Sequence, residues 1–118
     1  MSIFEAIFSP PQPEPEKLNI LRGEYPVRRL SAKELRHHQK QIDTATKKSD
    51  HLKLEELSAQ LVLDSLVGDD GKPLSSNSGA TVDKLVSAYS PSEISDAVDK
   101  VIELNYVGQT GEQDAKKD

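Results

Sequence analysis

Both phenylalanines of this 118-residue chain, Phe4 and Phe8, come before four prolines packed into positions 10 to 15, and no tryptophan follows them. Everything after the prolines must build its interior from aliphatic side chains and three tyrosines. Hydrophobic residues make up 35% of the chain and charged residues 30%, so the core is small. Helices that each bury one face suit such a composition better than a thick sheet sandwich. The length is that of one domain.

The prolines divide the chain. Ile3, Phe4, Ala6, Ile7 and Phe8 form a compact apolar patch, and Pro10, Pro11, Pro13 and Pro15 follow among Gln and Glu. Proline fixes φ and favours an extended spacer that cannot join a helix or a central strand. Residues 1–16 therefore read as an apolar arm on a stiff stalk, 17–107 as a single helical domain, and 108–118 as a polar, disordered tail. The arm either folds back onto its own core, docks on another subunit, or stays disordered.

Within the domain, Leu18 and Ile20, then Tyr25 and Val27, predict a small hairpin turning at Gly23-Glu24, with Pro26 confining its strand to an edge. Ser31-Ala32-Lys33-Glu34 is a capping box, and Leu30 with Leu35 adds a hydrophobic staple. A helix starts at Ala32, carries Leu35, His38, Ile42 and Ala45 on a thin apolar stripe, and fades near Lys47-Lys48. The broad apolar arc of Leu54, Leu57, Leu61, Val62 and Leu66 predicts a central helix over 52–67, ended by Gly68. Thr81 caps a short helix with Val82, Leu85 and Val86. Ser90-Pro91-Ser92-Glu93 is a second capping box, opening a helix that runs to about Asn105. The expectation is a mainly α fold, a compact bundle of about four helices with a small N-terminal hairpin.

Chemistry is sparse. There is no cysteine, hence no disulfide, thiol nucleophile or cysteine-bound metal. His37 and His38 point about 100° apart on a helix, and neither is spaced from His51 as a metal ligand. Asp69-Asp70-Gly71 lacks the alternating acids and closing glutamate of a calcium loop. No glycine-rich phosphate loop or nucleophile elbow is present. The chain is expected not to be an enzyme and to need no cofactor or metal. No stretch approaches the ~20 apolar residues of a membrane span, and Glu5 interrupts the only apolar run where a secretory signal would sit.

Charge is uneven. The net charge of −5 disfavours a general nucleic-acid binder, yet Arg28, Arg29, Lys33, Arg36, Lys40, Lys47, Lys48 and Lys53 make the first half basic. A basic face meeting an acidic face of a neighbouring copy uses this asymmetry. A nucleic-acid regulator would use Arg28, Arg29, Lys33, Arg36 and Lys40, but Tyr25 is its single stacking ring.

The order of features is more telling than any one of them. Tyr25-Pro26-Val27-Arg28-Arg29-Leu30 runs into the capped Ser31-Ala32-Lys33-Glu34-Leu35; Leu61 to Val67 is followed by Asp69-Asp70-Gly71-Lys72-Pro73-Leu74; the Ser90-Pro91 helix completes the series. Over about residues 18 to 106 this resembles the small tail assembly chaperones of lambda-like long-tailed bacteriophages. The arm lies outside the resemblance, and Ser75-Ser76-Asn77-Ser78-Gly79 stands where such chaperones commonly carry phenylalanine and acids. The resemblance implies a homo-oligomer that coats the tape-measure protein in the host bacterial cytoplasm. It keeps that protein soluble until tail-tube protein polymerises around it, and is absent from the mature virion. The residues assigned to oligomer or partner contact are Ile3, Phe4, Ile7 and Phe8, the basic pair Arg28 and Arg29, and Tyr106 and Val107. The rival readings are a structural tail component retained in the virion and the nucleic-acid regulator.

Overall fold

The computed structural model describes residues 2–10 and 13–106. In order, the elements are α1 (Ile3–Phe8), β1 (Glu16–Ile20), β2 (Gly23–Val27), α2 (Ala32–Lys47), α3 (His51–Ser65), a 3-10 turn at Leu74–Ser76, α4 (Val82–Ala88) and α5 (Pro91–Tyr106). The fold is mainly α with a two-stranded antiparallel hairpin, as expected, and α1 is the helix beyond the expected four.

Local cap chemistry sets most boundaries. Ser31 Oγ accepts the Glu34 N–H at 3.1 Å while Ser31 N–H donates to Glu34 Oε1 at 2.9 Å, the reciprocal pair that starts α2. Ser90 and Glu93 repeat it at α5, and Thr81 caps α4 by accepting from Lys84 N–H. α2 ends where Ser49 turns left-handed (φ 53°) and Asp50 N–H bonds back to Ala45 O at 3.0 Å, closing the last turn. Asp50 then caps α3 by accepting the Lys53 N–H. One serine and one aspartate thus reverse the chain between two packed helices.

Two boundaries differ from expectation. α3 stops at Ser65, and Leu66 is extended instead of continuing the helix to Val67. Strand β2 captures this segment: Arg28 N–H donates to Ser65 O at 2.9 Å, Val67 N–H donates to Pro26 O at 3.0 Å, and Val27 bridges Leu66. Tertiary partners for these backbone groups replace one more helical turn. The left-handed glycine of the following turn is Gly71 (φ 81°) rather than Gly68, a conformation glycine adopts without steric penalty.

The hairpin turn also shifts. Its register pairs Ile20 with Gly23, so Leu21 and Arg22 form the two-residue turn, both left-handed at φ 52° and 65°. Paired positive φ is the geometry that matches strand twist in a tight hairpin, and it is usually met by Asn and Gly. Here tertiary contacts hold it: Leu21 is buried in the core and Arg22 Nη2 donates to Glu93 Oε1 of α5 at 2.8 Å.

The core gathers Leu18, Ile20 and Val27 of the hairpin, Leu61, Val62 and Leu66 around the end of α3, and Ala97, Val101 and Leu104 of α5. α3 packs on α2, α4 and α5, and β1 lies on α5. Three ties fasten the hairpin and the segment after it to α5: the bidentate Arg22–Glu93 pair, Lys100 Nζ to Asn19 O at 2.8 Å, and Leu30 N–H to Asn105 Oδ1 at 2.7 Å.

Candidate interaction site

α1 is where the arm departs from a featureless patch. Ser2 Oγ accepts the Glu5 N–H and Glu5 Oε1 accepts the Ser2 N–H, both at 3.2 Å, a third capping box that starts a helix of six residues. Positions 3, 4, 7 and 8 then cover roughly 140° of its circumference. Phe4 and Phe8 stack with ring centroids 4.7 Å apart. Ile3, Phe4, Ile7 and Phe8 are 59–77% exposed, and among the described residues no substantial packing pairs α1 with another element. The four arm residues singled out from sequence are therefore brought together on one uncovered helix face.

A second apolar surface was not foreseen. Between the hairpin, the Leu66–Leu74 segment and α4 lies an open groove of about 550 Å³. Leu21, Leu66 and Leu85 form its floor, Tyr25, Leu74 and Tyr89 its walls, and Asp69 and Asp70 its rim. The Tyr25 ring lies so close over Gly23 that a Cβ there would come within 2.9 Å of it. The Arg22 guanidinium stacks 5.2 Å from the Tyr89 ring centroid. No sequence pattern could announce this groove, because its residues come from three separate stretches.

The basic pair is engaged within its own chain. Arg28 Nε donates to Asp64 O at 2.8 Å and its Nη2 to Glu34 Oε2 at 3.0 Å, which ties the end of β2 to α2 and α3. Arg29 Nη2 donates to Glu16 Oε2 at 2.7 Å, gripping the base of the proline stalk. Nearby, buried His38 sits with Nε2 2.9 Å from Asp64 Oδ2. Gln60 Nε2 donates to the other carboxylate oxygen at 2.9 Å.

These bonds shift carboxyl equilibria. Burial pushes Asp64 up, but hydrogen bonds from His38, Ser75 and Gln60 outweigh it and leave the group below its ordinary value. Glu34 is likewise raised by burial and brought below its ordinary value by Arg28 and Ser31. The Arg22 guanidinium, then the Ser90 backbone, hold Glu93 down to about 2 from an ordinary 4.5. Carboxyls held low in the fold contribute stability that is complete above their unfolded values and lost as pH falls through the folded ones. Urea midpoints should be level near neutrality and decline as the pH drops from about 4.5 towards 2. A midpoint that holds or rises across that window contradicts this account.

Tyr106 is 64% exposed at the C-terminal end of α5, and Val107 lies outside the described residues, as does the tail 108–118. Among the described residues no three His, Asp or Glu side chains converge as a metal set, and no helix is long and apolar enough to cross a membrane. The molecule thus presents an uncovered apolar helix, an apolar groove, and basic residues turned to its own carboxylates.

Residues 7–118 match the family described as phage tail assembly chaperone protein (TAC), the match opening at Ile7 so that Ile3 and Phe4 precede it. No curated protein and no solved structure matches the chain. With all but its first six residues inside that match, this chain belongs to the phage tail assembly chaperone family.

Proposed function

We propose that the protein is a non-enzymatic assembly chaperone that self-associates and binds the tape-measure protein, keeping it soluble while tail-tube protein polymerises around it. It acts in the host bacterial cytoplasm and leaves before the virion is complete. The family match over residues 7–118 carries this reading. The four-residue apolar face of α1 and the groove beside β2 support it, because a holding chaperone needs apolar surface left open for other chains. Arg28 and Arg29, two of the five basic residues that a nucleic-acid regulator would use, are bonded to Asp64, Glu34 and Glu16, which weighs against that alternative.

Co-expression tests the reading. With the tape-measure protein of the same phage, the chain should move most of that client from the pellet to the supernatant and co-purify with it. Purified virions should lack the chain. A client that stays insoluble overturns the chaperone role, and a fixed copy number in virions makes the chain a retained tail component.

A further inference from the structure

We propose, resting on the self-association contained in that functional reading, that α1 of one copy seats in the groove of a second copy between β2 and α4, joining subunits head to tail. Among the described residues two apolar surfaces are left uncovered, and they are of opposite shape. α1 is a convex ridge of two phenylalanines and two isoleucines, with its one acid, Glu5, bonded into its own cap. The groove is a concave apolar trough of about 550 Å³, within the roughly 300–1,000 Å³ of clefts that hold buried ligands. Its rim acids, Asp69 and Asp70, disfavour a more acidic occupant.

The arm is large enough to mark a contact surface. Large aromatic and aliphatic side chains of this exposure present on the order of 500 Å² on α1, the size at which an exposed patch marks a contact surface. Seating this ridge in the groove takes its apolar side chains out of water. A subunit in such a series gives one arm and receives another, so it makes two joints.

The stalk favours a neighbouring groove over its own. It enters β1 at Glu16, which Arg29 grips at 2.7 Å, whereas the groove is lined by Leu21 and Tyr25 of the hairpin together with Leu85 and Tyr89. Four prolines stand between positions 10 and 15 of the sequence. Folding α1 back into the chain's own groove demands a reversal within this stretch, whose prolines resist turning back. Passed from copy to copy the joint is heterologous and closes into a ring or continues as a filament, whereas a mutual exchange of arms closes at two copies.

Light-scattering mass across a hundredfold range of concentration reads this directly. The arm variant F4S/F8S keeps its groove. The groove variant Y25E keeps its arm, with L74E as a second groove variant should Y25E lose the wild-type circular dichroism. The wild type should be a multimer, and each variant alone should fall to the 13.0 kDa monomer. An equimolar mixture of arm and groove variants should give dimers and nothing larger, since one intact arm and one intact groove remain per pair. Groove variants that keep the wild-type mass place α1 against another α1 or another face and overturn the joint. A mixture that stays monomeric, or a wild type that is monomeric throughout, also overturns it. If the joint fails while co-expression still solubilises the client, the chaperone reading stands alone. A joint that holds beside an insoluble client leaves the assembly without that function.

Discussion

Shortening Leu104 to alanine should cost about 2–5 kcal/mol of folding stability, a large part of the ~5–15 kcal/mol available to a domain of this kind. Leu104 is fully buried in the cluster that holds Ile20, Val27, Val62 and Val101, where hairpin, α3 and α5 meet. The substitution removes apolar contacts from all three elements and leaves a cavity in a core without a large aromatic ring to collapse into it. The adjoining Asn105 amide carries the bond to Leu30 N–H, so loosening this turn also threatens a tie to the hairpin. The urea midpoint should fall with the slope unchanged. A loss below about 1 kcal/mol would mean that the last turn of α5 is not seated as described.

The second large effect is polar. Replacing Asp64 with leucine should cost about 1–3 kcal/mol, because it strips buried His38 of its partner at Nε2 and leaves Gln60 without its acceptor. An ionised carboxylate only accepts, so His38 donates from Nε2. Its Nδ1 has no hydrogen-bond partner among the described residues. In D64L both ring nitrogens are then buried and unsatisfied. The double variant H38L/D64L should recover most of the loss, since removing both partners costs far less than orphaning one. A thermodynamic cycle over the four proteins measures the coupling. Independent, additive losses would refute the pair's role.

Where the structure was legible in the sequence, the cause is local. Ser31 with Glu34, Ser90 with Glu93, and Thr81 act within one helical turn, so the starts of α2, α5 and α4 could be read from neighbouring residues. The end of α3 could not. Leu66 and Val67 carry a helical apolar pattern, but Arg28 N–H and Pro26 O, some forty residues earlier, claim the backbone of Ser65 and Val67 on either side of Leu66. The hairpin turn was misplaced for a similar reason: Gly23 suits a turn by itself, whereas Leu21 and Arg22 take it up because the core and Glu93 hold them. At the candidate site the apolar arm is plain from composition, and its helix is signalled only by Ser2 and Glu5, which form a box like the other two within six residues. Arg28 and Arg29 read as a surface pair because their partners lie on other elements.

The fastening of the hairpin to α5 has a consequence for how the chain is made. The clasp residues lie 71 to 81 positions apart in sequence, so the ribosome completes β1 and β2 long before Glu93, Lys100 and Asn105 exist. At typical rates of synthesis that interval is on the order of 4 to 15 seconds. Throughout it Leu18, Ile20 and Val27 have no α5 to lie against, and a lone two-stranded hairpin is marginal in water. A chain cut short before Pro91 lacks every one of these clasps. The first strands to be translated wait for the last helix to close over them.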